Sequence, residues 1–172
     1  MQDYLILDTE TTGVGAHDEV IELGIIDNNG TTHYHSLFKP QCPIHPRAAS
    51  VHGITHFDLA DAPPFSEEWA HIAKILAGRT VLIYNAQFDT RLLNQTARLH
   101  GQRDLLHSSH TRCVMLDYAK LRNEINPKTK KARWFKLEQA LRDEGILMRQ
   151  THRVIGDCLM TLALVKKMHG GS

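Results

Sequence analysis

Short apolar runs separated by polar turns dominate the start of the chain, and helical spacing takes over later. Tyr4-Leu5-Ile6-Leu7 predicts a first strand, ended by the polar stretch Asp8-Thr9-Glu10-Thr11-Thr12 and the turn residue Gly13. A second strand is expected near Val20–Ile26. Asp27-Asn28-Asn29-Gly30 then turns the chain into a third strand near Thr31–Phe38, as such residues do in hairpins. Pro40, Pro43 and Pro46 break the pattern and predict a loop. Ser66-Glu67-Glu68 opens a helix with Trp69, Ile72, Ala73 and Leu76 on one face and Gly78 as its stop. Val81-Leu82-Ile83-Tyr84 reads as a buried strand, followed by a helix from about Gln87 to His100. Three more helices are expected over Val114–Arg122, Lys136–Glu144 and Val154–Met168, with Asn126–Arg133 as a basic loop between the first two. A strand meander followed by strand–helix alternation predicts an α/β domain with a mixed central sheet flanked by helices.

The length of 172 residues favours one domain over 1–172. Hydrophobic residues at 42% and charged residues at 23% are those of an ordinary soluble globular chain. No apolar run is long enough to span a membrane, and because Met1-Gln2-Asp3-Tyr4 lacks a basic flank followed by an apolar stretch, no leader peptide is expected. Cys42, Cys113 and Cys158 are odd in number and far apart, so neither a disulfide framework nor a CxxC metal site is read from them, and a cytoplasmic location is expected. The net charge of +1 hides an asymmetry. Residues 1–100 carry 6 Lys+Arg against 12 Asp+Glu, a net of −6, whereas residues 101–172 carry 14 against 7, a net of +7. The first part is suited to cations and the second to phosphates, unless both are simply solvated surface.

Asp8 and Glu10 lie two residues apart at the end of a strand, so their side chains share a face. Ligands commonly sit at such strand ends in α/β sheets. Two like charges held close need compensation, and oxygen ligands suit Mg²⁺ or Mn²⁺. Asp89, in Asn85-Ala86-Gln87-Phe88-Asp89, falls in the first turn of a helix, where a carboxylate also complements the helix dipole. Asp157 falls near the first turn of the last helix, and His152 lies in the loop before it, five residues from that carboxylate.

Taken together, Asp8-Thr9-Glu10-Thr11-Thr12-Gly13, Val51-His52-Gly53-Ile54-Thr55, Asn85–Asp89 and His152–Asp157 resemble, in order and spacing, the motifs of the DEDDh (DnaQ-like) 3′→5′ exonucleases. That family includes the proofreading subunit of bacterial replicative polymerase and RNase T. Ile21-Glu22-Leu23-Gly24 and Lys136-Leu137 add to the resemblance, which spans about residues 3–168. Three features depart from the family pattern: Tyr84 before Asn85, the Ile155-Gly156 spacer, and the Asn126–Phe135 stretch with Lys128, Lys130, Lys131 and Arg133.

The resemblance implies an RNase H-like fold and a site for two divalent cations, Mg²⁺ or Mn²⁺. It makes Asp8 the ligand shared by both ions, Glu10 and Asp157 further ligands of the first, and Asp89 a support for the second. His152 would be the general base; an imidazole with an ordinary pKa of about 6.5 can accept a proton at neutral pH. Thr9, Thr11 and Gly13 would cradle the terminal nucleotide, Val14 would wedge against its base, and His52, Asn85 and Phe88 would contact it or its neighbour. Phe88 fits core packing equally well. The expected partner is a nucleic acid 3′ end, DNA before RNA, with an RNA-trimming enzyme and a polymerase-associated subunit as the alternatives. The Lys128–Arg133 stretch either grips the strand or is solvated.

Overall fold

The computed structural model describes residues 4–170; Met1–Asp3, read above for a leader, and the last two residues lie outside them. Three strands come first: β1 (Tyr4–Thr11), β2 (Val20–Asp27) and β3 (Thr32–Leu37). Helices α1 (Pro46–His52) and α2 (Phe65–Leu76) lead to β4 (Thr80–Ile83) and α3 (Ala86–Leu99). The short β5 (Thr111–Cys113) runs into α4 (Val114–Arg122), and α5 (Leu137–Asp143) and α6 (Val154–Met168) complete the order. The sheet order is β3-β2-β1-β4-β5. The β3-β2-β1 side is antiparallel, and β4 and β5 join it in parallel, so the expected mixed sheet with a meander at one side is present.

Alternation along the strands builds two cores. Leu5, Leu7, Leu23 and Ile83 face α2 and α3 through Ile72, Leu76, Leu92 and Leu93. Ile6, Ile26 and Leu82 face α4, α5 and α6 through Tyr118, Leu141, Leu162 and Val165. The side-chain period of two in an extended chain makes this division, and helices covering both faces explain why β2 is apolar almost throughout. The turn over Asp27–Gly30 forms as expected, with Gly30 at φ 92° and its N–H donating to the Asp27 carbonyl at 3.0 Å. Among the described residues no helix is long and apolar enough to cross a membrane.

Three elements differ from the sequence reading. β1 does not end at Leu7; it pairs with β2 as far as Thr11, with a register irregularity after Glu10. Its polar residues are tolerated because pairing uses the backbone and leaves the carboxylates free on one face. Residues 46–52 form α1 rather than loop. Pro46 stands at the first helical position, where a missing N–H is harmless. The His45 side chain caps the helix, its Nδ1 accepting from the Arg47 N–H at 3.2 Å. β5, absent from the sequence reading, is three residues long and half-buried, too short to show an alternation.

Candidate active site

The C-terminal half of β1, the start of α3 and the start of α6 meet at one end of the sheet. Glu10 and His152 are half-buried and Asp157 is buried, and one candidate ligand atom from each lies within 4.8 Å of the other two. Gln150 Nε2 donates to Asp157 Oδ2 at 2.7 Å. The other oxygen, Asp157 Oδ1, is buried with no hydrogen-bond partner. A buried carboxylate oxygen without a partner is destabilising unless something electropositive faces it.

Asp89 sits in the first turn of α3, 4% exposed, and accepts a hydrogen bond from Thr9 Oγ1 at 2.8 Å. Asp8 belongs to the same electrostatic group. Burial pushes its carboxyl well above the ordinary range, with further upward contributions from Asp89, Glu10, Asp157 and Glu22. Burial, then Asp157 and Glu22, raises Glu10 to about 8. Burial also raises Asp89 and Asp157, against the opposing bonds from Thr9 and Gln150. Four acids raised together cannot all ionise near neutral pH by themselves; a divalent cation would reverse that balance. The structure thus gathers Asp8, Glu10, Asp89, Asp157 and His152 at one place, with His152 beside Glu10 and Asp157 at ligand distance.

His152 has φ 51°, a left-handed conformation unusual for a residue with a side chain. The next residue fixes the loop. Arg153 Nε and Nη2 grip the Glu22 carboxylate with bonds of 2.8–3.1 Å, and His35 Nε2 adds a contact of 2.8 Å. Glu22 is fully buried and stands opposite Glu10 in the β1–β2 register. Burial pushes its carboxyl up, but the Arg153 and His35 bonds outweigh that and hold it below the ordinary value. A planar guanidinium fork suits such a buried carboxylate.

Arg153, His35 and Gln150 carry no role that the sequence marks, and Glu22 enters there only as part of a motif. Glu22 carried a usable signal, since a carboxylate inside an apolar strand must find a cation. Nothing local in the sequence marks Gln150.

The residues expected to hold a terminal nucleotide have unequal surroundings. The Thr9 hydroxyl is engaged by Asp89, and Thr11 Oγ1 donates to the Gly13 carbonyl at 2.7 Å. His52 is buried; Ile54 N–H donates to its Nδ1 at 2.9 Å, so Nε2 carries the proton and donates to the Thr11 carbonyl at 3.2 Å. Burial lowers the pKa of this ring. A side chain at Gly13 would approach Asp18 to 2.6 Å. Val14, 72% exposed, tips the loop, and Arg91 Nη2 donates to its carbonyl at 3.2 Å. Asn85 is exposed and makes no side-chain cap. Phe88 packs partly against the core, with the Arg91 guanidinium 5.8 Å from its ring centre. A separate cleft of about 400 Å³, lined by Trp69, Leu76, Arg79, Arg103 and His110 beside the start of β4, includes none of these residues. Its size alone gives it no chemistry, and the carboxylate cluster is the better candidate.

A family model described as exonuclease, RNase_T, matches residues 5–165. The chain is 34% identical to the uncharacterized exonuclease CP81 of Escherichia phage 186, over 98% of this chain and 89% of that protein. It is 33% identical to the DNA polymerase III subunit epsilon of Pasteurella multocida over 72% of this chain, and it spans 51% of that relative's length. Among solved structures, exonuclease X in complex with 5′ overhanging duplex DNA superposes with a TM-score of 0.72 at 22% identity, covering 98% of this chain and 92% of the other. That likeness concerns the fold, which is RNase H-like.

Proposed function

The chain belongs to the exonuclease family, in its DEDDh, DnaQ-like group, and from that premise we propose that it is a divalent-cation-dependent 3′→5′ exonuclease that releases nucleoside 5′-monophosphates. The observation that carries the reading is the convergence of Glu10, His152 and Asp157 within 4.8 Å, with Asp157 Oδ1 buried and unpartnered. Oxygen donors of this kind fit Mg²⁺ or Mn²⁺. Asp8, Glu10 and Asp157 would hold one cation, and Asp8 with Asp89 a second. Bound there, the cations supply a water of lowered pKa and charge stabilisation for the departing 3′ oxygen.

The chain's own residues do the rest. His152 takes a proton from the attacking water as the new oxygen–phosphorus bond forms. The bond from phosphorus to the 3′ oxygen breaks, and that oxygen takes a proton from solvent water to become the new 3′-hydroxyl, while His152 returns its proton to solvent. Thr9 fixes the rotamer of Asp89, and Gln150 fixes that of Asp157 while leaving its second oxygen bare. The Arg153–Glu22 fork holds the loop that aims His152. Thr11, Gly13, Val14, His52, Asn85 and Phe88 would form the walls around the terminal nucleotide. Backbone-directed contacts of this type give little base preference.

DNA is the first-choice strand, since a relative over most of the chain is a DNA polymerase subunit. The same relationship favours a second reading, in which the domain works as a proofreading unit held by a polymerase. End-labelled DNA and RNA oligonucleotides, single- and double-stranded, are incubated with Mg²⁺ or Mn²⁺. A 5′-labelled strand should yield a ladder of shortening products that a chelator abolishes. Immediate release of the 5′ label as mononucleotide, or full activity after exhaustive metal removal, overturns the reading.

A further inference from the structure

The proposed reaction makes no use of the basic stretch Asn126–Arg133, yet that stretch is ordered. Ile125 bridges Ala132 in antiparallel fashion. Arg133 N–H donates to the Glu124 carbonyl at 2.8 Å, and Asn126 N–H to the Lys131 carbonyl at 2.9 Å. The Asn126 side chain closes the tip by accepting from Lys128 N and Thr129 N at 2.9 and 3.2 Å. Residues 124–134 are therefore a small hairpin.

Its two faces differ, as strand alternation requires. On the inner face Arg133 pairs with Glu124 at 2.8 Å and lies 4.8 Å over the ring of buried Phe135. The Tyr84 hydroxyl donates to the Phe135 carbonyl at 2.7 Å. Tyr84 links β4 to Asn85 and α3, so the root of the hairpin is tied to the end of the sheet that carries Asp89. The outer face presents Trp134, 63% exposed, and Ile125, 59% exposed. Lys128, Lys130 and Lys131 crown the tip, all exposed. No acidic residue lies between Ile125 and Lys136, and no carboxylate pairs with those lysines among the described residues.

An exposed indole on a fixed backbone beside uncompensated ammonium groups is the combination that holds single strands. The ring stacks on any base, and the cations track phosphates. We propose that the 124–134 hairpin is a second nucleic-acid contact that grips the single-stranded segment upstream of the terminal nucleotide, with Trp134 stacking on a base and Lys128, Lys130 and Lys131 on the phosphates. The assignment of that segment rests on the exonuclease reading above.

Two variants test it, Trp134→Ala and the triple Lys128→Gln, Lys130→Gln, Lys131→Gln, all at exposed positions outside the core. Binding of a fluorescent oligothymidylate of about 12 nucleotides, within the span of single-strand sites, is followed by anisotropy in chelator, so that no strand is cut. Cleavage of the same strand and of a dinucleotide is then measured with Mg²⁺. Trp134→Ala should weaken binding about 5- to 150-fold, the worth of one stacked base. The triple variant should lower the log–log salt slope by about 2, roughly 0.7 per phosphate contact. In both, KM should rise for the long strand only, with kcat and dinucleotide cleavage unchanged. Unaltered affinity and salt slope overturn the proposal and leave the hairpin to a protein partner. An equal rise of KM on the dinucleotide also overturns it, because the hairpin would then act at the terminal nucleotide. If the parent protein cuts neither substrate, the exonuclease reading fails, and the binding measurement still decides the hairpin.

Discussion

His152 and Asp8 stand at the same end of the sheet, and the proposed mechanism gives them separable duties. Asp8 lies among the other carboxylates, so Asp8→Ala should abolish both cation binding and cleavage. His152→Ala removes a proton acceptor and should leave calorimetric Mn²⁺ binding intact while turnover falls by about 10²–10⁴-fold. Because His152 also lies within ligand distance of Glu10 and Asp157, parallel loss of Mn²⁺ binding in His152→Ala would make it a ligand and sink its role as base.

Residues that announce themselves by type and spacing were legible in the sequence. Asp8 and Glu10 share a face because a strand repeats every two residues, and Asp89 and Asp157 mark helix starts that turn residues define. Their companions were not legible. Arg153 meets Glu22 across 131 positions of chain, and no local pattern encodes a contact of that range. The unpartnered oxygen of Asp157 is likewise a property of packing, since only the fold decides which lone pair Gln150 satisfies.

At the scale of elements, the site depends on how closely α6 approaches the sheet. Gly24 of β2 stands opposite Asp8 in the pairing register. A Cβ built there would lie 2.8 Å from Val154 Cγ2 and 3.1 Å from Ile155 Cδ1, at the first turn of α6. Gly24→Ala should push that turn outward, destabilising the fold by about 1–3 kcal/mol, the usual range for overpacking. It should also cut turnover by more than the loss of folded protein accounts for, since Asp157 moves with the turn. Thermal melting alongside kcat per folded molecule checks this, and an unchanged Tm with full activity would show that α6 yields freely.

The helices α2 and α3 were readable because burial of one face imposes a period over many residues, whereas α4 and α6 carry little such bias, and Leu159, on the apolar spacing of α6, is exposed. Helix α1 was hidden because Pro46 reads as a breaker until its position in the first turn is known. The hairpin of residues 124–134 was hidden because most of its ordering comes from local turns and from the Arg133–Glu124 pair, not from an apolar alternation.

For the whole molecule, the uneven charge becomes a dependence of stability on pH and cation. Glu10 has its carboxyl raised from 4.5 to about 8, burial first and neighbouring acids next. Between those values the folded protein holds a proton that the unfolded chain has released, so the metal-free protein should lose stability as pH rises through that window. The raised Asp8, Asp89 and Asp157 act in the same direction. Glu22 acts oppositely: its lowered carboxyl contributes stability that is present above 4.5 and lost as pH falls through its folded value. Mg²⁺ needs the carboxylates ionised, so its binding expels protons and strengthens as pH rises. At about a hundredfold excess over Kd it should add about 2.7 kcal/mol, or roughly 5–10 °C in Tm for a chain of this size. Melting curves with and without Mg²⁺ at about pH 5.5 and pH 8, at one fixed Mg²⁺ concentration, should therefore show the larger cation gain at the higher pH, where the metal-free protein is weaker. An equal gain at both values would mean that Mg²⁺ binds without displacing protons, and that these four acids are not its ligands.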